Sequence, residues 1–152
     1  DRPAWGLVVS AYAPLVEYPD QDSYRAHFER VYCVGPLVTF DGIRVRFRKE
    51  KFWHAFFESP GRDQVKNRFS LERARRIDWI KGALEDPAAE LYVGWDRERK
   101  RYDGSRRVAV VSGCYVAVIA LKAKREAEFI TAFPADDRAL GQIRSSPKWS
   151  GK

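Results

Sequence analysis

Val108-Ala109-Val110-Val111-Ser112-Gly113-Cys114-Tyr115-Val116-Ala117-Val118-Ile119-Ala120-Leu121 decides the fold of this chain. Two nearly continuous apolar runs flank Ser112-Gly113-Cys114, and such runs predict central strands covered on both faces. Toward the C terminus, residues 122–126 turn the chain and 127–133 predict a last strand. From Pro134 the sequence is polar, with Pro147 and Gly151, and predicts a loose tail. Toward the N terminus, 91–95 predict another strand, followed by a charged loop over 96–106.

Upstream of the strands the pattern becomes helical. Ser70 predicts the N-cap of a helix reaching about residue 85, with Glu72 in the first turn, where a carboxylate suits the helix dipole. Ala74, Ile77, Ile80 or Lys81, and Leu84 form its buried stripe, and Asp86-Pro87 stops it. Residues 49–58 predict a short helix carrying His54, and 59–68 a polar loop. Asp41-Gly42, between 37–40 and 43–47, is a hairpin signal. In its second arm Ile43, Val45 and Phe47 alternate with Arg44, Arg46 and Arg48, leaving an arginine row that is either a solvated edge or a phosphate track. Asp22 predicts a cap for a helix over 23–33, with Tyr24, Phe28, Val31 and Tyr32 on its apolar side. Residues 5–13 are β-prone. The predicted class is α+β: N-terminal helices followed by a roughly four-stranded antiparallel sheet. It divides into an N-terminal segment (1–36), a core (37–134) and a tail (135–152).

The chain has 152 residues, 45% of them hydrophobic and 14% aromatic, enough for one domain with one core. Its net charge is +7, a surplus that points to a polyanionic partner. It contains no methionine and opens Asp1-Arg2-Pro3, which reads as an excised or processed part of a longer polypeptide. Cys33 and Cys114 sit in apolar surroundings without CxxC spacing, predicting buried free thiols. No apolar run approaches the roughly 18 residues of a membrane span, and the start is not a signal peptide, so a soluble domain is expected.

Chemistry rests on few side chains. Imidazole alone has an unperturbed pKa near neutrality, and the chain has two histidines, His27 and His54. His54 stands among Phe52, Trp53, Phe56 and Phe57, where burial would lower its pKa and favour a neutral base; a packed structural histidine is the alternative. His27, beside Tyr24 and Phe28, reads as structural. Arg73 and Arg76 lie three apart on the main helix, with Lys66 and Arg68 just before it, a setting suited to a phosphate or to solvent alone. Arg75 is assigned to solvent. Thr131 shares a predicted strand face with Phe129 and Phe133, where its hydroxyl would meet a phosphate or orient a catalytic group. Trp95, Tyr92, Tyr102 and Tyr115 would stack bases if exposed, and otherwise belong to the core. No HxxxH, HExxH, phosphate-cradling glycine loop or GxSxG elbow is present, so neither metal nor cofactor is expected.

Three segments carry a family likeness: His54-Ala55-Phe56-Phe57-Glu58, then Phe69-Ser70-x-x-Arg73-Ala74-x-Arg76-Ile77-x-Trp79-Ile80, then Phe129-Ile130-Thr131-Ala132-Phe133. Over residues 37–134 the chain resembles the barnase–EndoU–colicin–RelE-like (BECR) nuclease superfamily, in the branch found in phages and as C-terminal toxin domains of polymorphic bacterial toxins. The resemblance implies a helix-then-four-stranded-sheet fold. It also implies metal-independent endoribonuclease activity by 2′-OH transesterification, leaving a 2′,3′-cyclic phosphate, with tRNA a frequent target. It carries over His54, Arg73 and Thr131 as catalytic residues, with His54 as base or acid left open. The final strand ends in Phe133 where relatives often have tyrosine. Arg76 would share the clamp on the scissile phosphate, Lys66 would add charge, and Arg44, Arg46 and Lys122 would hold flanking phosphates. An acidic immunity or antitoxin protein is the natural partner, since opposite charge speeds capture of a basic toxin. The expected place of action is the bacterial cytoplasm, after delivery within a larger secreted effector. The alternatives are a non-catalytic RNA-binding module, a nucleotide-directed toxin such as an ADP-ribosyltransferase, and a structural or interaction domain.

Overall fold

The computed structural model of the chain describes residues 12–58, 68–96, 99–103 and 107–149. In chain order the elements are α1 (Gln21–Val31), β1 (Leu37–Val38), β2 (Arg44–Arg46), α2 (Lys51–Ala55), β3 (Phe57–Glu58), β4 (Arg68–Phe69), α3 (Leu71–Arg75), α4 (Trp79–Glu85), β5 (Glu90–Val93), β6 (Trp95–Asp96), β7 (Arg101–Tyr102), β8 (Arg107–Ser112), β9 (Tyr115–Ala123), β10 (Glu126–Pro134) and α5 (Asp137–Arg144). The class is α+β, as expected. The sheet differs: it has six strands in the order β1-β2-β10-β9-β8-β5, and β2 pairs with β10 in parallel. Two further two-stranded pairs, β3-β4 and β6-β7, stand apart from it.

The two apolar runs form the middle of the sheet. β8 and β9 join across Gly113 and Cys114, with Ser112 opposite Tyr115. Gly113 has φ +63°, and a Cβ there would lie 1.8 Å from the Tyr12 hydroxyl, so both conformation and space require glycine. That hydroxyl donates to the Ser112 carbonyl (3.0 Å) and accepts from the Cys114 amide (2.9 Å), pinning the turn. One face of the sheet, bearing Tyr115, Ala117, Ile119, Ala127, Phe129 and Ala132, packs with Tyr24, Phe28, Phe52, Phe56, Ile77 and Ile80 from the helical side. The opposite face, with Tyr92, Ala109, Val111 and Val116, packs on Leu140 of α5. Both faces are covered, as the unbroken apolar runs require.

Asp41-Gly42 does form the β1–β2 turn, with Gly42 at φ +89°. In β2, Val45 is buried and Arg44 and Arg46 are exposed, the alternation read from sequence. α1 is capped by Asp20 rather than Asp22: the Asp20 carboxylate accepts from the Ser23 amide at 2.8 Å. Ser70 caps α3 as expected, accepting from the Arg73 amide at 3.2 Å.

The helix it starts does not run to residue 85. It breaks at Arg76–Asp78, where the Arg76, Ile77 and Trp79 amides donate three residues back. Tertiary bonds take over there. The Tyr32 hydroxyl donates to the Ile77 carbonyl (2.7 Å) and accepts from the Lys81 amide (3.1 Å), while Asp78 meets His27 Nε2 (2.7 Å). The two Tyr32 bonds give the Ile77 carbonyl and the Lys81 amide the partners that a continuous helix would have supplied itself.

The segment expected as a loose tail carries α5, capped by Asp136, and its end runs beside β5. The Val93 amide donates to the Pro147 carbonyl (2.8 Å) and the Trp149 amide to the Leu91 carbonyl (3.0 Å). Cys33 is half-buried and Cys114 exposed, so the expectation of two buried thiols is corrected, although both are free. Among the described residues no helix is long and apolar enough to cross a membrane.

Candidate active site

The three elements that carry the sequence-predicted catalytic residues meet: α2 and α3 both pack on β10. β2 pairs with β10 only over Glu126–Glu128, and α2, which follows β2 in the chain, packs on β10 in turn. Phe52, Ala55 and Phe56 anchor α2 in the core, with Phe52 and Phe56 ring to ring at 5.1 Å and each about 6 Å from Phe28. Trp53 and His54 occupy the exposed side of the same short helix. The aromatic burial expected around His54 therefore belongs to its neighbours, and the imidazole faces outward.

Arg73 is the centre of the cluster. Its side chain is 21% exposed. Nη1 donates to the Ala55 carbonyl at 3.2 Å, the residue after His54, and Nε stands 3.8 Å from Glu58 Oε2. The guanidinium lies 5.4 Å from the centroid of the Phe133 ring on β10. One planar cation thus ties α3 to α2, β3 and β10, which a fork of five donors and two flat faces can do and an ammonium cannot. Burial pulls its pKa down; Glu58, with smaller help from Tyr115 and Glu72, pushes it back up. An arginine remains cationic through such a change.

Arg76 does not join Arg73 on a common partner. It bonds the Glu72 carbonyl at 2.8 Å and lies over the Trp79 ring at 5.0 Å, because the helix ends there. Arg75, assigned to solvent from sequence, pairs with Glu17 at 3.1 Å. Thr131 shares a face with Phe133 as expected, but not with Phe129. Ile130 is a bulge: Phe129 pairs with Ile119, Thr131 with Val118 and Phe133 with Val116. The extra residue leaves Phe129 and Ala132 in the helix-side core and turns Phe133 toward the cluster on the α5 side. Thr131 Oγ1 is enclosed and has no hydrogen-bond partner among the described residues.

The cations expected to hold flanking phosphates are present on the surface, but β10 answers several of them with carboxylates. Arg44 pairs with Glu126 (2.5 Å), Arg48 with Glu128 (2.9 Å), and Lys122 stands 4.0 Å from Glu128. Exposed pairs of this kind contribute only about 0–1 kcal/mol each, so a phosphate can compete for the cation. Arg46 is exposed on β2. Lys66 and the Trp95 side chain lie outside the described residues. Tyr92 and Tyr115, named as possible base stackers, are buried, and Tyr102 is exposed. His27 is buried and structural: Nε2 meets Asp78 and Nδ1 meets the Tyr18 hydroxyl at 2.8 Å.

No protein-family model, curated protein or solved structure matches the chain.

Two groups near Arg73 had no place beside it in the sequence reading. Glu58 was part of a quoted motif but had no role; its placement depends on the β3–β4 pair, in which it lies opposite Arg68. Tyr115 sits at the start of an apolar strand and gave no polar signal. It is fully buried, its ring 5.5 Å from Trp79, and its hydroxyl has no partner among the described residues. Burial raises the pKa of the phenol well above the usual tyrosine range, with Arg73 and Arg76 opposing weakly.

Tyr115 and Tyr32 make a stability test. Removing an orphan hydroxyl costs nothing, so Tyr115→Phe is expected to be neutral or stabilising by about 1 kcal/mol. Tyr32→Phe strands the Ile77 carbonyl and the Lys81 amide and should cost about 1–3 kcal/mol. Urea unfolding midpoints at equal slope would show it, and a larger loss for Tyr115→Phe than for Tyr32→Phe would contradict the hydrogen bonds described. Among the described residues no group of three or more His, Cys, Asp or Glu side chains is placed to hold a metal ion.

Proposed function

We propose that the chain is an endoribonuclease domain that cleaves RNA by attack of the 2′-OH on the adjacent phosphate, without a metal ion. The observation that carries the proposal is the Arg73 guanidinium, held between the end of α2 and β10, bonded to the carbonyl of the residue that follows His54 and with the Glu58 carboxylate beside it. Transesterification needs one group to take the 2′-OH proton and another to protonate the departing 5′ oxygen. Glu58, beside the Arg73 cation, takes the first proton. His54 gives the second. Arg73 binds the non-bridging phosphate oxygens and stabilises the charge that builds up on them in the transition state.

The cations Arg44, Arg46, Arg76 and Lys122, with Lys66, bind the rest of the RNA through its phosphates. Thr131, whose hydroxyl is enclosed and without a partner among the described residues, has no contact with the substrate in this reading. The resemblance to the barnase–EndoU–colicin–RelE-like superfamily supports the same chemistry. It extends the proposal to tRNA as target, to an acidic immunity or antitoxin protein as partner, and to action in the bacterial cytoplasm as part of a larger secreted effector.

A chimeric oligonucleotide tests the reaction class. Replacing the nucleotide 5′ to a mapped cut by its 2′-deoxy form is expected to abolish cleavage at that bond, and the all-ribose parent is expected to leave a 2′,3′-cyclic phosphate. Continued cleavage at the deoxy position would overturn transesterification.

A further inference from the structure

Trp53 is among the large apolar side chains that the fold leaves exposed, at 47% of its surface, although Phe52 on one side and Ala55 two positions on are fully buried. Its position is not slack. The indole meets Phe52 edge-on with centroids 5.6 Å apart and leans on Phe57 at 5.1 Å, so the ring is held by two core aromatics while much of it meets solvent. It adjoins His54 on the exposed side of α2. The neighbouring segments carry Lys49, Lys51 and Arg68 together with Glu50 and Glu58, in a chain of net charge +7. A fixed aromatic surface beside His54, in a chain with a surplus of cations, offers what an unpaired nucleobase requires: a π-face to stack on, with positive charge in the chain for the phosphates.

We infer that Trp53 is the stacking platform for an unpaired base next to the scissile phosphate, and that it makes the site selective for single-stranded or looped RNA. The inference rests on the ribonuclease proposal for the chemistry but not for the stacking itself. A base inside a perfect duplex has both faces covered by its neighbours and cannot offer one to Trp53 without being flipped out. Because the ring is already immobilised against Phe52 and Phe57, little conformational freedom is lost when the base docks.

Two readouts on the intact chain test this. The first is cleavage of an end-labelled oligoribonucleotide, single-stranded and in a perfect duplex. The wild type is expected to cut the single strand at least about tenfold faster, and Trp53→Ala to lower kcat/KM on it by about five- to a hundredfold. Trp53→Phe should keep most of the activity, and Trp53→Leu, apolar but without a π-face, should resemble alanine. The second readout is tryptophan fluorescence on titration with an all-2′-deoxy oligonucleotide, which binds but cannot be cleaved by 2′-OH attack. Quenching is expected in the wild type and should be largely lost in Trp53→Phe. If Trp53→Leu cleaves like the wild type and quenching persists in Trp53→Phe, the stacking inference is overturned while the nuclease proposal stands. If no RNA is cut but the Trp53-dependent quenching is seen, stacking is supported and the cleavage proposal fails.

Discussion

His54→Ala is expected to reduce RNA cleavage by at least about a hundredfold while leaving the fold intact, since a positioned proton donor contributes about 10²–10⁴-fold. The separation of the two effects follows from where the residue sits. The side chains that hold α2 to the sheet are Phe52, Ala55 and Phe56, all fully buried, and His54 is on the opposite side. Alanine is the best helix former, and no core volume is lost. The urea midpoint should move by no more than about 1 kcal/mol in stability terms. The measurement is initial cleavage rate alongside circular dichroism and unfolding of the same preparation. A folded His54→Ala protein that cuts at the wild-type rate would remove the histidine from the mechanism and leave Glu58 without its counterpart.

Arg73→Lys carries the second large effect, and it separates charge from geometry. Lysine keeps the positive charge but not the planar fork. It cannot donate to the Ala55 carbonyl, stand beside Glu58 and lie flat over Phe133 at once. Loss of one charge-stabilising donor costs about 10²–10³ in rate, and the lysine variant is expected to lose at least that much. Because the guanidinium also ties α3 to α2 and β10, some stability should go with it, about 1–3 kcal/mol for a buried charged hydrogen bond left imperfectly made. Arg73→Ala should be as inactive as Arg73→Lys. Rates within threefold of wild type for Arg73→Lys would mean that charge alone suffices, and that the three-way contact has no catalytic role.

The sheet centre was legible in the chain because its signal is local. The runs around Val110 and Val118 are apolar on both faces, the Asp41-Gly42 turn needs only two residues, and the Ser70 cap needs four. Other features depend on partners far away in sequence. Parallel pairing of β2 with β10 sets Arg44 opposite Glu126 across some eighty residues, and no periodicity within either strand announces it. The helix break at Arg76–Asp78 is stabilised by His27 of α1 and by Tyr32, which caps α1, while the local stripe of Ala74, Ile77, Ile80 and Leu84 argues for one continuous helix. α5 was hidden by its polarity, since Leu140 is its one buried residue.

The candidate site divides in the same way. His54, Arg73 and Thr131 were named from residue type and family likeness, and the fold does bring their three elements together. The bulge at Ile130, which takes Thr131 off the face of Phe129, adds one residue to a strand without changing its apolar pattern. Glu58 and Trp53 gain meaning only from geometry. One depends on the side chain that comes within reach of it, and the other on the ring surface left uncovered.

The most direct test of the central claim is a denaturing gel of total tRNA and rRNA incubated with the chain in EDTA, beside lanes with His54→Ala and with no protein. Discrete fragments ending in 2′,3′-cyclic phosphate, in the wild-type lane alone, are the predicted result. Intact RNA in every lane at high protein concentration, with salt-sensitive binding retained, would contradict the account and make the chain an RNA-binding module.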